Sequence, residues 1–185
     1  MAAKQEKDEK MKDSIREKLA EPIRNYRLPR YRELPDVGLY LEQVVRYVNR
    51  YMILDGNELT PSMVSNYVKQ KLIPGPVKKS YGADAIAYLL FLSYTKMVVP
   101  LGDIHFMIDI QKNSYGIPVA YDYFCEEFEN LLQYVYGIRE KPAKVGNDDT
   151  EEKELMRSAL LSVAHKIFLE QYIRILHYQR EGKNK

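Results

Sequence analysis

The sequence predicts an all-α fold, with a helix-rich core that is extended by helices towards the C-terminus. Apolar residues recur at three- and four-residue intervals in several separate stretches, which is the spacing of helices that bury one face. No stretch alternates apolar and polar residues for long enough to predict a full strand. Clusters of proline and glycine separate these stretches and predict where the helices end.

Length and composition fit one folded domain of 185 residues, 45% hydrophobic and 29% charged, which disfavours wholesale disorder and a membrane class. Cys125 is the only cysteine, so an intrachain disulfide and a cysteine metal cluster are excluded. The N-terminus is charged without an apolar core, which argues against a signal peptide, and no apolar stretch reaches the roughly 20 residues of a membrane helix. We therefore expect a cytoplasmic protein without a membrane span.

The N-terminal region, residues 1–35, is predicted to form a charged tail and an irregular arm. Residues 1–13 are nearly all charged or small, which predicts a solvated tail. Pro22, Pro29 and Pro35 follow, and each of them interrupts a long helix. We interpret the segment before Asp36 as an arm without regular structure.

A first amphipathic helix is predicted from Asp36, which can act as its N-cap, to about Met52. Its apolar stripe consists of Val37, Tyr40, Leu41, Val44, Val45, Val48 and Met52.

A second helix is predicted over residues 61–72. Thr60 is expected to cap it, and Pro61 occupies the first helical position, where a missing N–H is tolerated. A proline and glycine cluster at residues 74–76 ends the helix, and a two-strand wing is predicted around residues 75–80.

The remaining helices are predicted to form the core and the C-terminal part. Residues 84–98 are apolar around most of the helix circumference, which predicts a central buried helix. A short helix begins near Ile104, and residues 119–138 again have helical spacing. Residues 139–149 are predicted to form an exposed linker, and the last helix is expected over residues 149–179. This last helix lacks the steady seam of a coiled coil, so we expect it to pack against the body or against a partner in a dimer.

The helix of residues 61–72 has two distinct faces. The apolar face carries Val64, Tyr67, Val68 and Leu72, and the polar face carries Ser62, Ser65, Asn66 and Lys69. Such a polar face suits the reading of a DNA groove, and it also suits an ordinary solvated surface. Residues 60–100 carry five lysines and one acidic residue, a local charge of +4 in a chain of net charge +2. Contact with phosphates requires such a local excess.

The stretch TPSMVSNYVKQKLIPGPVKK resembles the recognition helix and the start of the wing in MerR-like winged helix-turn-helix regulators. YGADAIAYLLFLSYTKMVVPLGDI resembles the part that follows, so that the likeness covers about residues 39–110. It implies a winged helix-turn-helix domain with a short wing over residues 36–110 and a C-terminal helical region for dimerisation or effector binding over residues 111–182. More narrowly, residues 25–138 resemble a bacterial family catalogued as a domain of unknown function and likened to MerR proteins.

This resemblance implies a sequence-specific transcriptional regulator that binds double-stranded DNA as a homodimer. Residues 61–72 would then enter the major groove. The side chains expected at the DNA are Ser62, Ser65 and Asn66 for bases, and Tyr67, Lys69, Lys78, Lys79 and Tyr81 for phosphates.

Some of these residues carry a second interpretation. Tyr67 is expected to pack its ring inward with its hydroxyl near a phosphate, and simple core packing is the alternative. Asn66 suits an adenine edge, and it also suits a solvated surface. Ser62 and Ser65 stand where MerR-like helices often carry arginines, which predicts a low affinity for each module. The wing is also several residues shorter than in those regulators.

The sequence gives no support for catalysis, because the common phosphate-cradling and hydrolytic motifs are missing. His105, His165 and His177 are far apart, and Cys125 adjoins an apolar stripe, so we expect no enzyme activity, no metal and no cofactor. The 16 tyrosines suit either an aromatic pocket or the edges of the core. Two alternatives to DNA binding therefore stay open: a helical protein-interaction module on a winged-helix scaffold, and a small-molecule sensor with an aromatic pocket.

Overall fold

The computed structural model describes residues 14–181, and the tail predicted over residues 1–13 lies outside this range. The described part of the chain is mostly helical, as predicted, and contains a small two-stranded sheet. One hydrophobic core extends from Ile15 to Ile167 in the last helix.

The elements begin with a helix over residues 14–24 (α1) and a short 3-10 helix over Tyr31–Glu33. The elements that follow are β1 (Leu39–Tyr40), α2 (Leu41–Asn49), α3 (Pro61–Lys69), β2 (Ser80–Tyr81), α4 (Ala83–Thr95), α5 (Leu101–Ser114), α6 (Ile117–Val135) and α7 (Glu151–Glu181). The two strands are antiparallel, with Leu39 opposite Tyr81 and Tyr40 opposite Ser80.

Helix α4 lies at the centre of the fold, as its sequence predicted. Residues 85–95 are all buried, and α4 packs against α2, α6, α7 and β2. The ring of Phe91 lies 5.6 Å from that of Phe124, and the ring of Tyr94 lies 4.5 Å from that of Phe128. Because α4 is apolar on all sides, it requires neighbours on all sides, and the other helices are arranged around it.

The N-terminal arm is more regular than predicted. Residues 14–24 form a helix because one of its faces is buried, through Ile15, Leu19, Ala20 and Ile23. Pro22 removes one backbone N–H, but the helix continues only to residue 24, so few bonds are affected. Burial of the apolar face, at about 25 cal/mol per Å², stabilises the helix despite this loss. The prediction of an arm without regular structure was therefore wrong for these residues.

The segment after α1 is held against α6 by acidic side chains. The Glu129 carboxylate accepts the Leu28 N–H at 2.8 Å and two N–H groups of the Arg30 guanidinium, both at 2.7 Å. Asp122, two turns earlier on α6, accepts the Tyr31 N–H at 2.7 Å. A bidentate pair between Arg30 and Glu129 fixes orientation as well as distance. The arm is consequently part of the folded body.

Helix α2 is shorter than predicted. The helix expected over residues 36–52 forms over Leu41–Asn49, because residues 39–40 pair with β2 instead of continuing the helix. Val37 and Tyr40 were assigned to the apolar stripe, but they are 75% and 60% exposed. Their spacing fits a helix, but Val37 lies in a bend before β1 and the backbone of Tyr40 pairs with β2.

The C-terminal half agrees with the predicted order of helices. Helix α6 covers most of residues 119–138, and α7 ends two residues beyond the predicted end. The linker over residues 139–149 contains no helix and is tied to α6 by Asn130. The Asn130 amide accepts the Ala143 N–H at 2.7 Å and donates to the Ala143 carbonyl at 2.9 Å.

Helix α7 packs along α6, which confirms the prediction that it contacts the body of the protein. Its inner face is buried through Ala159, Leu160, Val163, Ala164 and Ile167. Near its end, the Arg174 guanidinium lies 3.0 Å from the Asp55 carboxylate in the loop after α2. Within residues 14–181, no helix combines the length and the apolar character that crossing a bilayer requires.

The division into residues 1–35, 36–110 and 111–182 stays a prediction. The position of the second boundary falls inside α5, and the buried core is continuous across it. The aromatic contacts between α4 and α6 join the two predicted parts.

A buried carboxyl group lies at the junction of α6 and α7. Glu127 is fully buried, and its Oε1 lies 3.2 Å from the guanidinium of Arg157. Burial raises the pKa of Glu127 above its ordinary value of 4.5, although Arg157 and Asn130 oppose this effect. For a group whose pKa is raised by folding, the stabilising contribution is complete below the unfolded pKa and is lost as pH rises through the folded pKa.

We expect Glu127→Gln to remove this loss of stability with rising pH, because glutamine stays neutral at every pH. The unfolding free energy of the variant, relative to the unchanged protein, should rise between pH 4 and pH 7. Urea denaturation at several pH values measures this difference. Glu126→Gln, at an exposed neighbouring position, is the control for the loss of one carboxyl group. A difference for Glu127→Gln that does not change with pH would contradict the role given to its burial.

Candidate nucleic-acid interface

Helix α3 begins where the sequence predicted. The Thr60 hydroxyl accepts the Met63 N–H at 3.3 Å and caps the helix, and Pro61 occupies the first helical position. Val64 and Tyr67 are buried against the body, whereas the opposite side of the helix faces solvent. The local sequence thus sets both the start of α3 and the direction of its polar face.

The predicted polar face is exposed and continuous. Ser62, Ser65, Asn66 and Lys69 are all exposed on α3. The Ser65 hydroxyl donates to the Pro61 carbonyl at 3.0 Å, and the Ser62 hydroxyl lies 3.2 Å from that of Thr60. These bonds are local and can be exchanged for bonds to a ligand, and the Asn66 side chain projects from the same face. This surface is therefore available to a partner.

Two of the predicted phosphate contacts are corrected by the structure. Tyr67 is 2% exposed and Tyr81 is 5% exposed, and both belong to the hydrophobic core. Burial also raises the pKa of each phenol above its ordinary value. The inward packing expected for the Tyr67 ring is confirmed, but neither side chain forms part of an exposed basic surface. Their contribution is to hold α3 and β2 in place.

The segment that leads into α3 is fixed by Asn49 at the end of α2. The Asn49 amide donates to the Leu59 carbonyl at 3.0 Å and accepts the Leu59 N–H at 2.8 Å. One side chain thereby satisfies both backbone groups of a buried residue, immediately before the helix cap. This pair of hydrogen bonds sets the position of α3 relative to α2.

The end of α3 places a lysine in an unusual conformation. The Leu72 N–H donates to the Tyr67 carbonyl and the Lys71 N–H donates to the Val68 carbonyl, both at 3.0 Å. This is the Schellman pattern, in which the residue after the cap takes the left-handed conformation that favours glycine. Lys71 occupies that position with a φ of 58° and is exposed.

The predicted wing is a tight turn. Val77 and Ser80 exchange backbone hydrogen bonds of 2.9 and 3.0 Å, and Lys78 and Lys79 between them have φ values of 49° and 68°. Positive φ at both central positions matches a type I′ turn, for which Asn-Gly is the favoured sequence. Val77 forms only an isolated bridge with Ser80, and no second strand forms within residues 75–77. The following strand, β2, pairs with β1 instead.

A close approach of two segments supports this turn. An added Cβ at Gly38 would lie 2.8 Å from the Ser80 hydroxyl oxygen, so only glycine fits beside the turn. The Ser80 hydroxyl also donates to the Val77 carbonyl at 2.9 Å. The lysine pair is therefore held on a rigid base next to the start of α2.

The three lysines share one property. Within residues 14–181, the non-glycine residues with positive φ are Lys71, Lys78 and Lys79, and all three lie between α3 and α4. A left-handed conformation costs a residue with a Cβ about 1–2 kcal/mol relative to the usual one. The fold thus accepts strain at the positions that expose positive charge beside α3.

Nearby acidic groups do not neutralise this surface. Asp84, the one acidic residue in residues 60–100, accepts the Tyr31 hydroxyl at 2.6 Å, and this bond raises the pKa of Tyr31 to about 12. Lys96 is half-buried beneath α3, with its ammonium 3.9 Å from the Met63 sulfur, and burial lowers its pKa. Lys69, Lys71 and the turn lysines remain exposed.

The other chemical candidates of the sequence are not brought together. Among residues 14–181, no group of three or more histidine, cysteine, aspartate or glutamate side chains is arranged to hold a metal ion. Cys125 is fully buried, and burial raises its thiol pKa to about 12. Such a thiol is a poor nucleophile at neutral pH.

Two features of the surface were missed in the sequence. Lys71 was counted only as charge, because a Schellman ending is normally signalled by glycine, which is missing here. Asn49 was not singled out, because it lies inside the helix predicted over residues 36–52 and its partner Leu59 is ten residues away. A search for asparagine at helix ends would have found the second feature.

We expect the double change Lys78→Asn/Lys79→Gly to stabilise the protein, because it relieves strain in a type I′ turn. The gain should be about 1 kcal/mol, which raises the Tm by about 2–4 °C in thermal unfolding. Lys141→Asn/Lys144→Gly removes the same charges at exposed linker positions with negative φ and should give no gain. An equal or lower Tm for the turn variant would contradict the claim that the backbone of Lys78 and Lys79 is strained.

Comparison with known proteins gives a family but no function. Residues 29–124 match the family described as Domain of unknown function (DUF1836). No curated protein and no solved structure matches the chain. The match supports the narrower of the two resemblances found in the sequence, and the likeness to MerR-like regulators stays a prediction. Since the matched residues make up just over half of the sequence, the chain belongs to the DUF1836 family.

Proposed function

We propose that this protein is a sequence-specific DNA-binding regulator of transcription in the cytoplasm, and not an enzyme. Helix α3 would enter the major groove of double-stranded DNA, and the lysine turn would contact the backbone beside it. The scaffold would be a MerR-like winged helix-turn-helix with a wing reduced to the turn of residues 77–80.

The observation that carries this proposal is the placement of the strained lysines beside the polar face of α3. Lys71, Lys78 and Lys79 adopt a backbone conformation in which glycine or asparagine would be more stable. Strained residues cluster at functional sites, where the side chain supplies what the backbone conformation disfavours. Here the side chain supplies an exposed positive charge, which suits a phosphate backbone.

The order of elements supports the same interpretation. Helices α2 and α3 pack together, the turn follows α3, and β2 pairs back with β1 just before α2. This order is the one expected if α2 and α3 form a helix-turn-helix with α3 as its second, recognition helix. The Asn49 bonds hold α3 against α2, so that the polar face of α3 has a fixed direction.

The exposed residues divide into two roles. Ser62, Ser65 and Asn66 would face bases, with Asn66 suited to the two hydrogen bonds of an adenine edge. Lys69, Lys78 and Lys79 would contact phosphates, and we add Lys71 to this group. Because serines replace the arginines of related helices, the contribution of each module to base recognition would be small.

A homodimer would compensate for this weakness by reading two half-sites. Helix α7 is the element that we propose for the contact between subunits. Beyond Ile167, it carries Leu169 and Ile173 one turn apart, and they are 56% and 45% exposed. A twofold arrangement of two such modules predicts an inverted-repeat site in the DNA.

We expect the purified protein to retain fragments of DNA from its own source with an affinity that falls steeply as salt rises. Lys78→Asn/Lys79→Gly should weaken this binding uniformly across sequences. It should also make the slope of log affinity against log salt shallower by about 2, since two phosphate contacts are lost. Sequencing of the retained fragments and fluorescence anisotropy at several salt concentrations measure both effects.

A loss of DNA binding in the turn variant cannot be attributed to unfolding, because this variant is expected to be more stable than the unchanged protein. Lys141→Asn/Lys144→Gly, with the same loss of charge in the linker, should leave the slope unchanged. Equal slopes for both variants, or no retention of DNA at low salt, would contradict the proposal. The second result, together with salt-insensitive capture of a protein partner by α3, would favour a protein-interaction module.

A further inference from the structure

A cavity of about 400 Å³ lies between α4, α5, α6 and the start of α7, on elements other than α3. It exists because α5 is loosely packed: of its fourteen residues, only Ile104 and Ile108 are buried. The walls are formed mainly by aromatic and aliphatic side chains, among them Tyr88, Phe91, Tyr123, Met107 and Met156. Its size and composition lie within the range of sites that bind small organic molecules, about 300–1,000 Å³.

The polar groups at the rim are already paired with one another. The Lys153 ammonium contacts the Asp148 carboxylate and lies 5.6 and 5.1 Å from the ring centres of Tyr115 and Tyr123. The Tyr115 hydroxyl donates to the same Asp148 carboxylate at 2.8 Å. Because these charges are mutually satisfied, an anionic ligand would have to break the pair of Lys153 and Asp148 to gain a partner. Glu126 also lines the cavity, but it is exposed to solvent, where an ion pair with a cationic ligand would contribute little.

Two further polar side chains of the wall are likewise engaged. The Gln111 amide accepts the Tyr88 hydroxyl at 3.4 Å and donates to the Tyr115 carbonyl, and the Glu152 carboxylate accepts the Ser114 hydroxyl. These bonds leave the apolar and aromatic surfaces as the main attraction for a ligand. Offset and edge-to-face contacts with the tyrosine and phenylalanine rings favour a flat partner.

A segment of the linker lies over one side of the rim. Gly146 has a φ of 81°, and an added Cβ there would lie 2.9 Å from the Lys153 ammonium and 3.7 Å from the Tyr123 ring. The linker therefore passes directly over the lysine and the tyrosine that line the cavity. This cover shields the cavity from solvent on one side.

From this geometry we propose that the cavity is a binding site for an uncharged aromatic organic molecule of one to three rings. The ligand lies against the rings of Tyr88, Phe91 and Tyr123 and contacts Met107 on α5 and Met156 on α7. The site is independent of the function proposed for α3, because none of the α3 residues lines it.

The test uses the neutral probe N-phenyl-1-naphthylamine and the full chain labelled with ¹³C at the methionine methyl groups, which are assigned by single Met→Leu variants. Met107 and Met156 line the cavity, whereas Met52, Met63 and Met97 do not. We expect saturable shifts of the Met107 and Met156 signals and a matching rise in probe fluorescence. Unchanged signals, or shifts confined to Met52, Met63 and Met97, would overturn the proposal.

A matched pair of variants adds a second readout. Ala120 lines the cavity at a half-buried position of α6, and Ala143 is exposed in the linker outside it. Ala120→Phe should weaken probe binding at least tenfold, while Ala143→Phe should stay within twofold of the unchanged protein. If Ala120→Phe keeps its helical circular dichroism and binds the probe normally, the site is wrongly located. If it fails to fold, the methionine signals of the unchanged protein decide the matter alone.

Discussion

The burial of α4 on every side is the constraint on which the rest of the structure depends. Eleven consecutive residues of this helix, from Ala85 to Thr95, are removed from solvent, and each side requires its own cover. Helix α2 and strand β2 cover one part, and α6 and α7 cover another. The same helix therefore joins the surface that carries α3 to the region that contains the cavity.

Burial of α4 also explains the use of tyrosine in this core. Tyr94 is fully buried, and its hydroxyl is satisfied by the Tyr51 carbonyl and by the Tyr26 hydroxyl at 2.7 Å. Tyr94 donates to the carbonyl, so Tyr26 uses its one proton for Tyr94, and the Tyr26 hydroxyl oxygen lies 2.8 Å from the same carbonyl oxygen. A buried hydroxyl without such a partner would be destabilising by about 1–3 kcal/mol. These tyrosines consequently connect the N-terminal arm and the end of α2 to the centre of the fold.

The sequence predicted the elements whose pattern is decided locally. The apolar run of α4, the Thr60 cap and the Pro61 start of α3 each carry their own signal, and all three were correct. The start of α2 was wrong because Val37 and Tyr40 have helical spacing, while residues 39–40 pair as a strand with residues forty positions away. Helix α1 was missed because Pro22 suggested a break, and the burial of its apolar face depends on distant parts of the chain.

The candidate surface was predictable in composition but not in geometry. The exposure of Ser62, Ser65, Asn66 and Lys69 follows from helical spacing once the apolar face is known. The positive φ values of the three lysines have no signal in the sequence, because glycine and asparagine are missing from these positions. The cavity was indicated only by the number of tyrosines. A gap between packed helices depends on tertiary contacts, which the local sequence does not specify.

The most direct test of the account is to map which backbone amides respond to DNA. A ¹⁵N-labelled sample is titrated with a duplex recovered by DNA retention, or with mixed-sequence duplex at low salt, and amide shifts are followed by NMR. The account predicts shifts at Ser62, Ser65, Asn66 and Lys69 and at residues 77–80, while the amides around the cavity of α5 and α7 stay unchanged. Shifts centred on another surface, or no shifts at low salt, would contradict the assignment of α3 and the lysine turn as the DNA-binding surface.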